Sequence, residues 1–200
     1  MTTFLLIRHC ETDAVGKYVS GSVPGPSLNS TGMAQAKNLA ALLSALPIQA
    51  VYTSPLERAL KTAAEIAVPH KIKAVIDHGL AETKFGEWEG MAFSELNKRT
   101  EWQYFNRLRS WNQPPNGELM IEIQNRMVAT LRRLWQAHMN SVVAIVSHAD
   151  PLRLALAYFL GTSLDHMQRI RLDPASVSIV QLDESWIEIM AINRCESIAL

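Results

Sequence analysis

Two short apolar runs that stop abruptly at polar, ring-bearing residues restrict the fold of this sequence more than any other feature. Phe4-Leu5-Leu6-Ile7 ends at Arg8-His9, and Val142-Val143-Ala144-Ile145-Val146 ends at Ser147-His148. Runs of this length suit strands covered on both faces. Elsewhere the apolar spacing changes to the helical period. Ala34, Leu39, Leu42, Leu43 and Leu46 follow it, as do Ile121, Met127, Val128, Leu131, Leu134 and Trp135. Strands alternating with helices give an α/β chain with a largely parallel sheet.

Glycine, proline and capping residues set the expected boundaries. Residues 13–30 contain Gly16, Gly21, Pro24, Gly25 and Pro26 and read as a loop. Asn29, Ser30 or Thr31 caps the next helix, and Pro47 stops it. Ala50-Val51-Tyr52 is a second strand. Pro55 then starts a helix over Leu56 to Val68. Lys73 to Ile76 is a third strand, residues 77–90 are irregular, and 91–111 leans towards helix. Pro114-Pro115-Asn116-Gly117 breaks that stretch before a long helix from Glu118 to Met139. Pro151 to Leu160 is another helix. Ser176–Leu182 and Trp186–Ala191 form a closing hairpin, whose edge could pair two subunits, so monomer and homodimer both stay open. The tail Asn193–Leu200 is expected to be disordered. No repeat or linker interrupts the chain, so residues 1–200 read as one domain.

Composition removes several function classes. Lys+Arg and Asp+Glu each number 19, so there is no basic field for nucleic acid or for an anionic membrane surface. The hydrophobic fraction of 48% argues against disorder. No apolar run approaches the ~20 residues of a membrane helix. The opening residues lack a basic start followed by ~7–15 apolar residues, so no signal peptide is expected. A cytoplasmic protein is the expectation. The two cysteines, Cys10 and Cys195, cannot build a disulfide framework. The histidines show no HxH or HExxH spacing, so neither a metal nor a cofactor is expected.

In open α/β sheets, ligands bind beyond the carboxyl ends of the strands. Two strand ends here deliver Arg8, His9 and His148. A third delivers Ser54-Pro55-Leu56-Glu57-Arg58, which puts Arg58 on the first turn of a helix. The irregular segment contributes Glu82, with Glu11, Glu87 and Glu89 as rivals. His70, His78, His138 and His166 are expected at the surface.

At this point the sequence resembles a known family. Leu6-Ile7-Arg8-His9-Cys10-Glu11-Thr12 is similar to the Arg-His-Gly-x-Thr signature of the histidine phosphatase superfamily, which includes the phosphoglycerate mutases. Leu28 to Ala36 resembles its capped first helix, and Thr53 to Ala59 its second arginine motif. Leu80 to Gly90 resembles its acid loop, and Val146 to Asp150 its second-histidine motif. These segments occur in the family's order. The resemblance implies a three-layer α/β/α sandwich with a mostly parallel central sheet, phosphoglycerate mutase-like, and a cap or substrate wall over about 84–117. It implies that His9 attacks phosphorus, that His148, Arg8 and Arg58 hold the phosphoryl oxygens, and that Glu82 protonates the leaving oxygen. Guanidinium forks match phosphoryl oxygens, and a carboxyl near a dianion holds its proton more tightly. Thr12 either bonds within its loop or supports the site. Ser20 and Gly21 lie on a loop able to bring backbone amides to a phosphate, and Ala149 offers an amide at a helix start.

The sequence also departs from the pattern. Cys10 stands where the family has glycine, which raises the prospect of a strained backbone and of a reactive thiol beside two arginines. Val15 stands where many members carry asparagine, with Lys17 or a loop amide as a replacement donor. Gly25 stands where others often have aspartate. The short segment between Glu82 and His148 lacks the long insertion of the mutases. The expected function is a metal-independent phosphomonoesterase acting on a small phosphorylated metabolite, with inorganic phosphate as product ligand. The alternatives are mutase-type phosphoryl transfer and a non-catalytic phosphate-binding module.

Overall fold

In the computed structural model, which describes residues 1–196 and 198, the leading apolar run forms the middle of the sheet. Strand β1 (Thr2–Arg8) lies between β4 (Val142–Ser147), to which it is parallel, and β5 (Val177–Leu182), to which it is antiparallel. With β2 (Ile48–Thr53), β3 (Ala74–Ile76) and β6 (Ile187–Arg194), the sheet has six strands in the order β3-β2-β4-β1-β5-β6. The four strands from β3 to β1 are parallel, and the closing hairpin adds the two antiparallel ones.

Alternation along β1 builds a layer on each face. Phe4 and Leu6 point into one cluster with Met127, Leu131 and Leu154. Those partners come from α5 (Met120–Ala137) and α6 (Ala149–Phe159). Leu5 and Ile7 point into the other, with Leu39, Leu43, Ala63 and Ile66. These come from α1 (Ser30–Leu43) and α2 (Glu57–Ala67). The result is the expected three-layer sandwich. Each such buried side chain stabilises the fold by roughly 1.5–3 kcal/mol relative to exposure.

Of the three candidate caps for α1, Asn29 is the one used: its Oδ1 accepts from Gly32 N–H at 2.8 Å. The helix ends at Leu43, before Pro47, because Ser44 Oγ donates to the Ala41 carbonyl and closes the turn. The helix-leaning stretch divides into α3 (Phe93–Leu96) and α4 (Thr100–Arg107). At the break, Asn97 accepts from Trp102 Nε1 through its side chain and from Gln103 Nε2 through its carbonyl, a local alternative to helical bonding. Residues 77–90 carry two 3-10 turns, His78–Leu80 and Gly86–Trp88. Gly86 has φ +55°, and a Cβ there would lie 2.0 Å from the Pro115 carbonyl oxygen, so the acid loop lies tight against 114–117. A further 3-10 segment, Leu164–Arg169, lacks an apolar period and so leaves no mark in the sequence. The expected disorder after Asn193 does not hold for Asn193 and Arg194, which end β6; Ser197, Ala199 and Leu200 lie outside the described residues. Among the described residues no helix is long and apolar enough to cross a membrane.

Candidate active site

Register does the first part of the assembly. Arg8 pairs with Ser147 across β1 and β4, and Thr53 pairs with Val146 across β2 and β4. His9 N–H donates to the Ser147 carbonyl at 3.0 Å, and Ser54 N–H to the Val146 carbonyl at 2.9 Å. The three strands therefore release His9, His148 and Ser54 at one level. The rings of His9 and His148 are 5.1 Å apart, edge to face.

His9 is 5% exposed, and its Nδ1 lies 2.7 Å from the Cys10 carbonyl oxygen. A carbonyl only accepts, so the ring proton sits on Nδ1 and the Nε2 lone pair is free. Burial, followed by the charge of Arg58, lowers the His9 pKa to about 3; Arg8 adds to this and the Cys10 carbonyl opposes it. The imidazole is neutral throughout the physiological range. His148 is fully buried, and its Nε2 is 2.7 Å from Ser54 Oγ. Ser54 Oγ also accepts from Leu56 N–H, and its own proton has no other acceptor among the described residues, which assigns that proton to Nε2. The imidazole proton then sits on Nδ1, which has no partner among the described residues and lies 3.7 Å from Glu82 Oε2. Burial, then His9 and the arginines, holds His148 well below the usual histidine pKa.

Arg8 Nη1 donates to the Leu172 carbonyl, and Arg58 Nη2 to the Gly21 carbonyl. Each keeps a buried Nε without a partner among the described residues. Among the described residues Arg58 makes no ion pair with its helix neighbours Glu57 and Glu65. Glu57 pairs with Lys61, and the Arg58 guanidinium is buried. Glu82 accepts from Thr83 N–H at 2.9 Å. Burial, then the Asp150 charge, raises its pKa to about 7, against the opposing pull of Arg58 and Arg8. Its rivals are otherwise engaged. Glu89 accepts from Ser22 and Phe85 amides, Glu87 from Asn116, and Glu11 from Asn29.

A cleft of about 270 Å³ opens over these groups. Arg8, His9, Glu82, Thr12, Ser20, Gly21 and Ala149 all line it, while Arg58 and His148 lie beneath, 1% and 0% exposed. The Trp-bearing segment is both core and wall. Trp102 lines the cleft and packs edge to face on Trp88 at 5.2 Å, whereas Trp111 is exposed. Val15 lines the cleft as an apolar residue, and Lys17 is exposed and not part of the lining, so it replaces no donor. Of the four remaining histidines, His78 and His166 are exposed; His70 is half-buried, as is His138, which hydrogen-bonds Tyr52 Oη. Among the described residues no group of His, Cys, Asp and Glu is arranged to hold a metal.

The reactive-thiol idea for Cys10 is overturned. The residue is fully buried, does not have positive φ, and its amide is fixed to Thr62 Oγ1 at 3.1 Å. Burial pushes its thiol pKa up to about 11. A thiol so protonated and enclosed is inert. A disulfide reagent is expected to modify the exposed Cys195 quickly and Cys10 only after denaturation, as read by titrating native against unfolded protein. Fast modification of both thiols in native protein would contradict the placement.

Sequence reading missed the polar outer wall. Arg109 donates from Nη1 to Asp150 Oδ2 and from Nη2 to Asn106 Oδ1, both at 2.7 Å. Arg153 Nη1 donates to Asp150 Oδ1 at 3.1 Å. Asp150 is the last residue of the second-histidine motif, Val146 to Asp150. Arg109 lies just beyond α4 with no pattern to mark it.

A doubly wound sandwich with a buried histidine pair among arginines at its strand ends defines a phosphoryl-handling protein. The chain belongs to the histidine phosphatase superfamily (branch 1), which it matches over residues 4–194. It is 30% identical to phosphoserine phosphatase 1 of Hydrogenobacter thermophilus over 201 residues, covering 96% of this chain and 92% of that one. It is 29% identical to the adenosylcobalamin/alpha-ribazole phosphatase of Escherichia coli, covering 94% of each. The solved structure of YhfR from Bacillus stearothermophilus superposes with a TM-score of 0.89 at 29% identity, covering 95% of this chain and 96% of that one. The protein is a phosphatase of this superfamily.

Proposed function

We propose that the protein hydrolyses small phosphorylated metabolites in two displacements, with His9 carrying the phosphoryl group between them. The observation that carries this reading is the His9 ring. It is neutral, its Nδ1 proton is tied to the Cys10 carbonyl, and its Nε2 is free among buried guanidinium groups. The relatives named for phosphoserine and for alpha-ribazole phosphate support a small substrate.

In the first displacement the Nε2 lone pair forms a bond to phosphorus as the ester P–O bond breaks. Glu82 gives its proton to the leaving oxygen, and the alcohol departs. In the second, Glu82 as carboxylate takes a proton from water while the water oxygen attacks phosphorus. The P–Nε2 bond breaks, inorganic phosphate leaves, and Glu82 is again protonated. The orphan N–H groups of Arg8 and Arg58, with His148 Nδ1–H, fit the three equatorial oxygens, where charge accumulates. Splitting one difficult hydrolysis into two steps is the advantage of a covalent intermediate. Thr12, Ser20, Gly21 and Ala149 are assigned to the phosphate-facing rim.

The test combines turnover with trapping. Purified protein should release phosphate from p-nitrophenyl phosphate. A rapid quench in alkali should yield an adduct one phosphoryl group heavier than the protein, and brief acid treatment should remove it. Hydrolysis without such an adduct would remove His9 as carrier. Isomerisation of 3-phosphoglycerate faster than hydrolysis of any monoester would assign a mutase instead.

A further inference from the structure

We infer that Arg126, which does not line the cleft, is a positioning residue that fixes the backbone on both sides of Glu82 and so aims its proton; this rests on the reading of Glu82 as the donor.

Glu82 does little to fix itself. Its side chain accepts from the amide of the next residue, Thr83, while its Oε2 stands 3.7 Å from His148 Nδ1. Its aim therefore depends on where the loop places its backbone. A general acid must come within about 2.6–3.2 Å of the atom it protonates, and a misplacement of about 1 Å can cost on the order of 10²-fold in rate.

Three consecutive carbonyls ahead of Glu82 are each held by a side chain from another element. Arg126 Nη1 donates to the carbonyls of Gly79 and Ala81, both at 2.9 Å, and the buried Ser147 Oγ donates to that of Leu80 at 2.8 Å. Arg126 also reaches the far side of the acid. Its Nη2 lies 3.6 Å from Glu118 Oε2, and that oxygen accepts from Lys84 N–H at 2.8 Å. One guanidinium on α5 thus ties down both flanks of Glu82.

The spacing along α5 fits this role. Arg126, Thr130 and Arg133 recur at i, i+4 and i+7 and share one helix face. Thr130 lies against Gly79, where a Cβ would come within 1.9 Å of its Oγ1. Arg133 pairs with Asp77, whose carboxylate accepts from Gly79 N–H. The 3-10 turn His78–Leu80 is therefore mounted directly on the helix, and a side chain carried on such a mount is preorganised. Ser147 precedes His148 in the chain, so its bond to Leu80 sets the acid relative to the second histidine as well.

The experiment compares phenyl phosphate with p-nitrophenyl phosphate, two similar monoesters of which the second releases its phenolate without a proton. Arg126→Met keeps an apolar stem and removes the donors. It should lower kcat for phenyl phosphate by about tenfold or more, with KM and the p-nitrophenyl phosphate rate within about threefold of wild type. Arg126→Lys, which can still donate to both carbonyls, should recover most of the loss. In the Glu82→Gln background, Arg126→Met should cost phenyl phosphate turnover nothing further, because the proton it aims is gone. The Arg126 charge also acts on His148, and a role through that charge would slow both substrates alike. Equal slowing overturns the inference, and so do unchanged rates or losses that multiply in the double variant. If Arg126→Met does not fold, Glu118→Ala carries the test: it releases the Lys84 amide and should give the same split. Glu82→Gln alone separates the two levels. A split there, with none in Arg126→Met or Glu118→Ala, sinks the positioning role alone. No split in Glu82→Gln sinks the donor reading and this inference with it.

Discussion

Replacing His9 with alanine is expected to lower kcat by about 10⁴-fold or more, the scale on which enzymes lose rate when a nucleophile is deleted. The size follows from the absence of a substitute. His148 is the nearest imidazole, but its Nε2 is engaged by Ser54 and its Nδ1 carries the proton, so it has no lone pair to offer. The phosphate cradle should outlive the change, because Arg8 and Arg58 are anchored to the Leu172 and Gly21 carbonyls and not to His9. Inorganic phosphate should therefore still raise the melting temperature of H9A. The same substitution has a signature in acid. Burial and the Arg58 charge depress the folded-state pKa of His9 from the ordinary 6.5 to about 3. A depressed value means that its contribution is present above the unfolded pKa and lost as pH falls towards the folded one. Wild-type stability should thus decline between about pH 6.5 and pH 3, and H9A should decline less steeply over that window. Steady-state assays and thermal melts across pH check both halves. A variant that keeps a tenth of the activity, or that no longer responds to phosphate, would contradict this assignment.

The parts of this site legible in the sequence are those set by strand ends. Apolar runs that stop at Arg8-His9 and Ser147-His148 report where a strand leaves the sheet, and the parallel register of β1 and β4 turns that into proximity. The alternation within β1 gave the layers for the same reason, since successive residues face opposite sides. What stayed hidden depends on side chains meeting across distant segments. Ser54 holds His148 from 94 positions away, and Asp150 reaches Arg109 across 41. Neither pairing leaves a periodic trace. Cys10 shows a different failure. The two arginines suggest an electropositive, reactive thiol, but enclosure raises the pKa against the opposing hydrogen bond of Thr62. The composition of 91–111 leans towards helix but does not mark where the helix divides, because the Asn97 bonds at the break are local and not periodic.

Glu82→Gln should cost about 10²- to 10⁴-fold in kcat for alkyl phosphates, the span of general acid–base catalysis. The loss should be much smaller for p-nitrophenyl phosphate, whose phenolate leaves without a proton. This split separates a proton donor from a residue that merely shapes the cleft, since a structural lesion would slow both substrates alike. The pH profile carries the same information. Burial and the Asp150 charge raise Glu82 to about 7, and only the protonated form can donate, so kcat/KM for an alkyl monoester should fall above about pH 7 with the loss of one proton. His9, at about 3, contributes no acid limb near neutrality. The decline on the acid side instead belongs to the substrate, whose second phosphate pKa lies near ~6. In E82Q the basic limb should disappear while the acid limb stays where the substrate puts it. A basic limb that persists in E82Q would transfer the proton to another group. Since Glu82 Oε2 stands 3.7 Å from His148 Nδ1, His148→Asn is the variant in which that transfer would then be sought.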